Sequence, residues 1–457
     1  MSSIGSLLSI ARDAMTAASL SVEVTGQNIA NASTPGYARR VPVLESNALV
    51  AGRGGGVLFR GADRATDRFA DARLTTESGL HGAATAREAG LAGLEGVVAP
   101  PTGGVSDAMA DLFAAATALA SGPEDPTARA ALLGAAEQTA AAFRAASSGL
   151  AARRADLFGG AQGICAEVNE RTAQIAKLND SIATSEASGV PAPELRDRRD
   201  VLIREVGERV GAEVVEEPNG SITLLSAGTA LVQGGAARAL SASLSTTGSV
   251  RIAVSKAGGA QTDVTAGVTS GTLGGTLAAR DADIPKLTAA LDALATDVAG
   301  AVNAVHQAGV GLDGVGGRPL FALTPGPGGA ATLAVDASVA GRPDRLAAAS
   351  SLASLPGGND AAVALSALAH TMLGGGGLPA ERAGALGASL GAMQGRASDS
   401  VALRSETMAL AKTQHEQASG VSVEEEMVNL TRYQRAFEAS MRVLKVADEL
   451  LEGLIRG

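Results

Sequence analysis

The sequence predicts a mainly α-helical protein: long terminal coiled-coil helices, a helical-bundle body, and an inserted small β domain. Three observations predict it. Both chain ends repeat apolar residues every seven positions. The 457 residues include 58 Gly, 2 Tyr, 7 Phe and no Trp, so Ala, Leu and Val must do the packing, and they suit thin helices better than one bulky core. The stretch 208–275 switches to strand patterning. At about 150 residues per domain, the length leaves room for several packed units.

At the N-terminus, Ile4, Leu8, Ala11, Met15, Ala18, Val22, Thr25 and Ile29 step by fours and threes along one helical seam. The helix must end before Pro35, and Pro35-Gly36 suits the centre of a type II turn. Further seams run through Val105, Met109, Leu112, Ala116 and Leu119, and through Ile164, Val168, Ile175, Leu178 and Ile182. The clearest takes in Ile284, Leu287, Leu291, Leu294, Val298, Ala301 and Val305. Breaks are expected at Pro100-Pro101, Gly122-Pro123, Pro191-Ala-Pro193 and Gly374–Gly377.

Between these helices, Asn219-Gly220 marks a turn between apolar runs, and Val250, Ile252 and Val254 alternate with period two before Gly258-Gly259. Residues 310–345 are rich in Gly and Pro, which predicts a loop with a short hairpin. The C-terminal seam is Val423, Met427, Leu430, Gln434, Phe437, Met441, Leu444, Ala447, Leu451 and Leu454. Ser422 and Glu425 form a capping box ahead of it, and Glu424, Glu425 and Glu426 are expected to be a solvated, dipole-favoured first turn. The expected division is 1–60 plus 400–457 as a terminal unit, 61–207 plus 276–399 as a helical body, and 208–275 as the β insertion.

Composition excludes several functions. A net charge of −10 argues against nucleic acid, and no basic block suits an anionic membrane. Cys165 is alone, which excludes an intrachain disulfide, and its apolar neighbours suit a buried thiol. The start MSSIGSLLSIARDAM lacks the basic region of a secretory signal. Gly309-Val-Gly311-Leu-Asp-Gly314 matches a dinucleotide-loop pattern, but a helix precedes it where a strand is needed. Gly387-Ala-Ser389-Leu-Gly391 matches a nucleophile elbow, again without the strand. The four histidines show no ligand spacing. No catalytic residue, cofactor or metal site is expected.

Thr25-Gly-Gln-Asn28-Ile-Ala-Asn31-Ala-Ser-Thr34-Pro35-Gly36-Tyr37-Ala-Arg39-Arg40 resembles the N-terminal signature of bacterial flagellar rod, hook and hook-associated proteins. Ser419-Gly-Val-Ser-Val-Glu-Glu-Glu426-Met-Val-Asn-Leu430-Thr-Arg-Tyr433-Gln434-Arg-Ala436-Phe437-Glu-Ala-Ser440, with Ala447-Asp-Glu-Leu450, resembles their C-terminal helix. Tyr after Pro-Gly, followed by Arg39, is similar to the hook–filament junction family, the first hook-associated proteins. So are Leu195-Arg-Asp197-Arg-Arg199-Asp200-Val-Leu202 and Asn303-Ala-Val-His306-Gln-Ala-Gly309 with Pro319-Leu-Phe321.

The resemblance implies an extracellular structural protein of the flagellum, exported unfolded through a type III apparatus. Its terminal helices would pair as an inner tube, and its copies would form a ring between hook and filament. Implied partners are other copies, the hook protein, the second junction protein, and an export chaperone gripping the C-terminal helix. Neither nucleic acid nor membrane insertion is implied. The implied assembly interface comprises Ile4, Leu8, Met15, Val22, Asn28, Ile29, Asn31, Pro35, Gly36 and Tyr37 with Met427, Leu430, Tyr433, Gln434, Phe437, Met441, Leu444 and Leu451. Alternatives are a distal rod or hook subunit, a cytoplasmic coiled-coil adaptor, and a secreted hydrolase dependent on Ser389.

Overall fold

A computed structural model describes residues 2–47, 55–255 and 259–456. It is 65% helical. Helix α1 (Ser2–Ala30) leads through a turn to the antiparallel pair β1 (Arg40–Ser46) and β2 (Val57–Arg64). Then come α2 (Arg68–Leu91), the single turn α3 (Glu95–Val98), α4 (Val105–Ser121), the 62-residue α5 (Pro126–Ala187) and α6 (Pro193–Val210). Seven strands follow in two antiparallel sheets: β3 (Glu213–Glu216), β4 (Ile222–Ser226), β5 (Thr229–Gln233) and β6 (Ala236–Ala237), then β7 (Leu240–Leu244), β8 (Val250–Ser255) and β9 (Gln261–Asp263).

Helices resume with α7 (Gly271–Ala278), which passes through a π-helical turn at 279–283 into α8 (Ile284–Ala308). A long connection holds β10 (Phe321–Ala322), α9 (Gly329–Thr332) and β11 (Ala334–Val335). The chain closes with α10 (Asp360–Ala367), α11 (Pro379–Ser419) and α12 (Val423–Arg456).

The four expected breaks all separate helices, and the 310–345 loop carries its short hairpin. In the expected Asn219-Gly220 turn, Gly220 sits at φ +80° between β3 and β4. Of the expected Gly258-Gly259 turn, Gly258 lies outside the described residues. The sequence reading had no strands near the N-terminus, yet β1 and β2 pair there. The reason lies in packing: Val41 and Leu44 of β1 stay exposed, and one side of the hairpin rests on α1, so period two is weak. Residue 60, the expected edge of the terminal unit, falls inside β2.

Two cores form, and α5 runs through both. Its first half contributes Leu132, Ala136, Phe143 and Leu150 to a core shared with α4, α8 and the first half of α11. Its second half contributes Ala161, Val168 and Ile175 to a core shared with α6, α7 and the sheets. At 1.5 Å per residue, α5 is about 93 Å long. Two asparagines on it dock the strands. Asn169 accepts the Leu240 N–H at 2.7 Å and donates to the Leu240 carbonyl at 2.8 Å. Asn179 donates to Ile222 and Gly234 carbonyls at 3.0 and 2.8 Å and accepts from buried Arg199 at 3.0 Å.

With few aromatic residues, close packing falls to glycines. Where α2, α6 and α7 meet, a Cβ on Gly82 would lie 2.6 Å from the Glu208 carbonyl oxygen, and one on Gly207 would lie 2.6 Å from Thr75. Asn303 and His306 on α8 hold the long connection. Asn303 accepts Leu320 and Phe321 N–H groups at 2.9 and 2.8 Å. Buried His306 donates from Nδ1 to the Arg318 carbonyl at 2.7 Å, and its Nε2 accepts the Ala347 N–H at 3.1 Å. Both ring nitrogens are thus used by the neutral imidazole.

Two predictions follow from this packing. Gly82→Ala should lower stability by about 1–3 kcal/mol because backbone must move. Gly300→Ala, with open space around the position, should be neutral or gain up to about 1 kcal/mol. Thermal unfolding of the two variants checks both. Burial depresses the His306 pKa below its usual value. The neutral form is therefore favoured by folding, and its stabilisation is complete above the unfolded pKa of about 6.5. It declines as pH falls through that value toward the folded pKa. Melting temperatures of the wild type should drop on acidification below about pH 6.5, and His306→Gln should show a shallower drop.

Candidate assembly site at the joined chain termini

Helices α1 and α12 pack on each other, and the end of α1 meets the start of α12, so they run antiparallel. Ala11, Ala17, Ala18, Ser21, Val24, Thr25 and Asn28 are the buried residues of α1, enclosed by α12 and the β1–β2 hairpin. Small side chains let the helices approach. The two hydroxyls among them bond back to their own helix, Ser21 to the Ala17 carbonyl at 2.8 Å and Thr25 to that of Ser21 at 2.9 Å. On α12, the buried and half-buried residues include Glu426, Leu430, Tyr433, Phe437, Ser440, Leu444, Ala447 and Leu451.

The expected interface residues divide accordingly. Ile4, Leu8, Met15, Val22 and Ile29 are half-buried on α1, and Leu430, Tyr433, Phe437, Leu444 and Leu451 are half-buried on α12. Met427, Gln434 and Met441 face away from α1. The two methionines belong with Val428, Val443, Val446 and Leu450 to apolar surface that the pair leaves uncovered. The inward row passes instead through Glu426, Tyr433 and Ser440, one position earlier, and at Glu426 the carboxylate finds distant partners.

The partners of Glu426 form a clasp around Asn28, which is 1% exposed. Its Nδ2 donates to the Arg40 carbonyl at 2.8 Å and to Glu426 Oε2 at 3.0 Å. Its Oδ1 accepts the Arg40 N–H at 2.8 Å and the Tyr37 hydroxyl at 2.9 Å. Glu426 is 2% exposed, and its other oxygen accepts Arg39 Nε at 2.8 Å. The expectation of a fully solvated first turn therefore fails at Glu426 and holds at exposed Glu424 and Glu425. Ser422 does cap the helix, accepting the Glu425 N–H at 3.4 Å. The Arg39 N–H donates to the Ser419 carbonyl at 2.9 Å, which anchors the end of α11 to the same point.

The turn that delivers Tyr37 explains its own sequence. Tyr37 N–H donates to the Thr34 carbonyl at 3.2 Å, and Gly36 sits at φ +80°. That is the type II turn expected of Pro35-Gly36. A side chain at 36 would strike Val201. Asn31 is half-buried and donates to the Gln27 carbonyl at 2.9 Å, closing the helix, while Pro35 is exposed. The clasp continues into α6. Arg40 stacks over the Tyr37 ring, its centre 5.1 Å away, and donates to Asp197 at 2.6 Å. Arg64 pairs with Asp197 at 2.8 Å and with Asp200. Burial holds the Asp197 carboxyl above its usual range, against the lowering effect of Arg64 and Arg40, and burial likewise raises Tyr37. Sequence reading missed Glu426 and Asp197 as partners of the N-terminal motif. Both lie in segments the resemblance had marked.

Among the described residues no three His, Cys, Asp or Glu side chains gather as metal ligands. Ser389 lies exposed within α11, and Gly309 ends α8, so neither glycine motif has the strand it would need. Cys165 is buried, which pushes its pKa up to about 11. Among the described residues no helix is long and apolar enough to cross a membrane.

Asn28→Leu should strand the Arg40 backbone groups, the Tyr37 hydroxyl and Glu426. At about 1–3 kcal/mol per buried group left unpaired, the ends of α1 and α12 should open. Limited proteolysis within 423–456 should accelerate in the variant relative to the wild type.

The clasp joins two motifs found far apart in the chain, and comparison with known proteins matches both. The "Flagellar hook-associated protein FlgK helical domain" matches residues 91–321. "Flagella basal body rod protein" matches 8–37, and "Flagellar basal body rod FlgEFG protein C-terminal" matches 412–456. Flagellar hook-associated protein 1 of Salmonella typhimurium is 30% identical over 335 residues, covering 70% of this chain and 60% of that protein. The chain thus spans less than two thirds of that relative. Its Bacillus subtilis namesake is 26% identical over 503 residues, covering 98% of this chain and 97% of its own. The flagellar hook junction protein FlgK from Burkholderia pseudomallei superposes with a TM-score of 0.52 at 27% identity, over 55% of this chain and 47% of that one. The helical-domain match alone takes in more than half of the residues, and the chain belongs to the flagellar hook-associated protein FlgK family.

Proposed function

We propose that this chain is a structural subunit of the bacterial flagellum, without catalytic activity, that forms the ring joining hook to filament. The names of its relatives support the location. The observation that carries the assembly role is the uncovered side of α12. The pairing with α1 uses one face, and Met427, Val428, Met441, Val443, Val446 and Leu450 remain exposed on the others. An isolated subunit has no use for so much apolar surface, whereas a tube of subunits covers it. The residues 1–60 with 400–457 would form the inner layer of that tube, the helical body the next, and 208–275 the outer face. Neighbouring copies, the hook protein and a second junction protein would be the partners. The chain would leave the cell unfolded through the flagellar export channel, with a chaperone lying along α12 beforehand.

Deleting the gene in its own bacterium should leave complete hooks without filaments. Hooks missing as well would favour a rod or hook subunit. Complementation with Leu430→Asp and with Met441→Asp should fail in both cases, for different reasons. Leu430 faces α1 and its charge should lower the melting temperature of the purified chain. Met441 is 48% exposed and its charge should leave that temperature unchanged. Normal swimming of both strains would contradict the assembly role of the terminal helices.

A further inference from the structure

Phe69, at the start of α2, is 85% exposed, more than any other large apolar residue described. Arg73 follows one turn later on the same face and is also exposed. Two acids of that first turn are already engaged. Asp67 caps the helix, accepting the Phe69 N–H at 2.8 Å, and Asp71 accepts His415 Nε2 at 2.9 Å. The surface around Phe69 is therefore apolar and basic.

The partner helix α11 carries a stripe of opposite charge. Asp399, Leu403, Glu406 and Leu410 are spaced by four, three and four, and all are exposed, the leucines at 57% and 60%. Arg404, in the same stretch, turns inward to pair with Glu77 of α2 at 3.6 Å. Asp71 meets His415 and Glu77 meets Thr407, the latter at 3.0 Å, so the two helices run antiparallel and Phe69 lies level with the end of α11, beyond the stripe. A helix turns about 100° per residue. With Leu74 and Ser78 buried on the side of α2 that packs inward, Phe69 points away from α11. With Ala411 buried on α11 and Arg404 facing α2, the Leu403–Leu410 stripe lies on the outer flank of that helix. The two surfaces lie at different levels of one helix pair, so they do not meet within a chain.

We propose that they meet between chains: the Phe69–Arg73 face of α2 packs on the Asp399–Leu403–Glu406–Leu410 stripe of α11 in a second copy. Phe69 sits between the two leucines, and Arg73 lies against Glu406. The contact is head-to-tail, and contacts of that kind build rings when the rotation closes. It deepens the junction reading and rests on it, because it supplies the lateral interface outside the terminal helices.

The test places the photo-cross-linker p-benzoyl-phenylalanine at position 69 of the full chain, expressed in a deletion strain of its own bacterium. Illumination of filamented cells should yield a species of two copies, with the cross-link mapping by mass spectrometry between residues 399 and 413. Arg73→Glu should abolish the cross-linked species, and adding Glu406→Arg should restore it. Cross-links that map elsewhere in cells with normal filaments, or an Arg73→Glu variant that cross-links as the parent does, overturn the contact and leave the junction role standing. A deletion strain that keeps its filaments overturns the junction role itself.

Discussion

Taking the Glu426 carboxylate out of water is costly unless its oxygens are met, and both of them are. One accepts Asn28, the other Arg39. A buried charge of this kind weighs less as net stability than as a constraint on position. It sets the register of α12 against α1, because sliding either helix by one turn would part the buried Glu426 carboxylate from Asn28 and Arg39. The turn at Pro35-Gly36 exists to bring Tyr37, Arg39 and Arg40 back onto that point. Through Arg40 and Asp197 the same constraint reaches α6, and through Ser419 it reaches α11. The chain's first forty residues and its last forty are thus referred to one asparagine.

Much of this was legible in the sequence, and the remainder was hidden for physical reasons. Helices with long apolar seams, such as α4 and α8, show their period because one face is buried and the other wet. The breaks show because Pro and Gly act locally. The hairpin β1–β2 was invisible since β1 leaves apolar Val41 and Leu44 exposed, which erases alternation. Glu426 was misplaced for a related reason. A glutamate in a first helical turn satisfies the helix dipole on its own, so nothing in the local sequence demands a distant amide. The outward position of Met427 and Met441 has the same root. Periodicity tells which residues share a side, but α12 carries apolar residues on more than one side, and only the partner helix decides which side is used first.

Asparagine does much of the long-range work in this chain. Asn28, Asn169, Asn179 and Asn303 each satisfy backbone or side-chain groups of a distant segment. An amide offers donors and an acceptor at once without introducing charge. In a chain with no Trp and little aromatic bulk, such paired contacts fix connections that broad apolar surfaces would fix elsewhere. Arg199, buried and bonded to Asn179 and the Gly220 carbonyl, extends the pattern to the edge of the sheets.

The unbroken course of α5 through both cores has a mechanical meaning. Bodies joined by a loop can swivel independently. Bodies threaded on one rod of hydrogen-bonded peptide cannot turn without twisting it, and glycines 159, 160 and 163 fall at its midpoint, just where the two cores hand over. A torque applied at the sheets is therefore carried to the bundle through unbroken helix, along α5 with its glycine-bearing waist and, beside it, through the π-helical turn that joins α7 of the second core to α8 of the first.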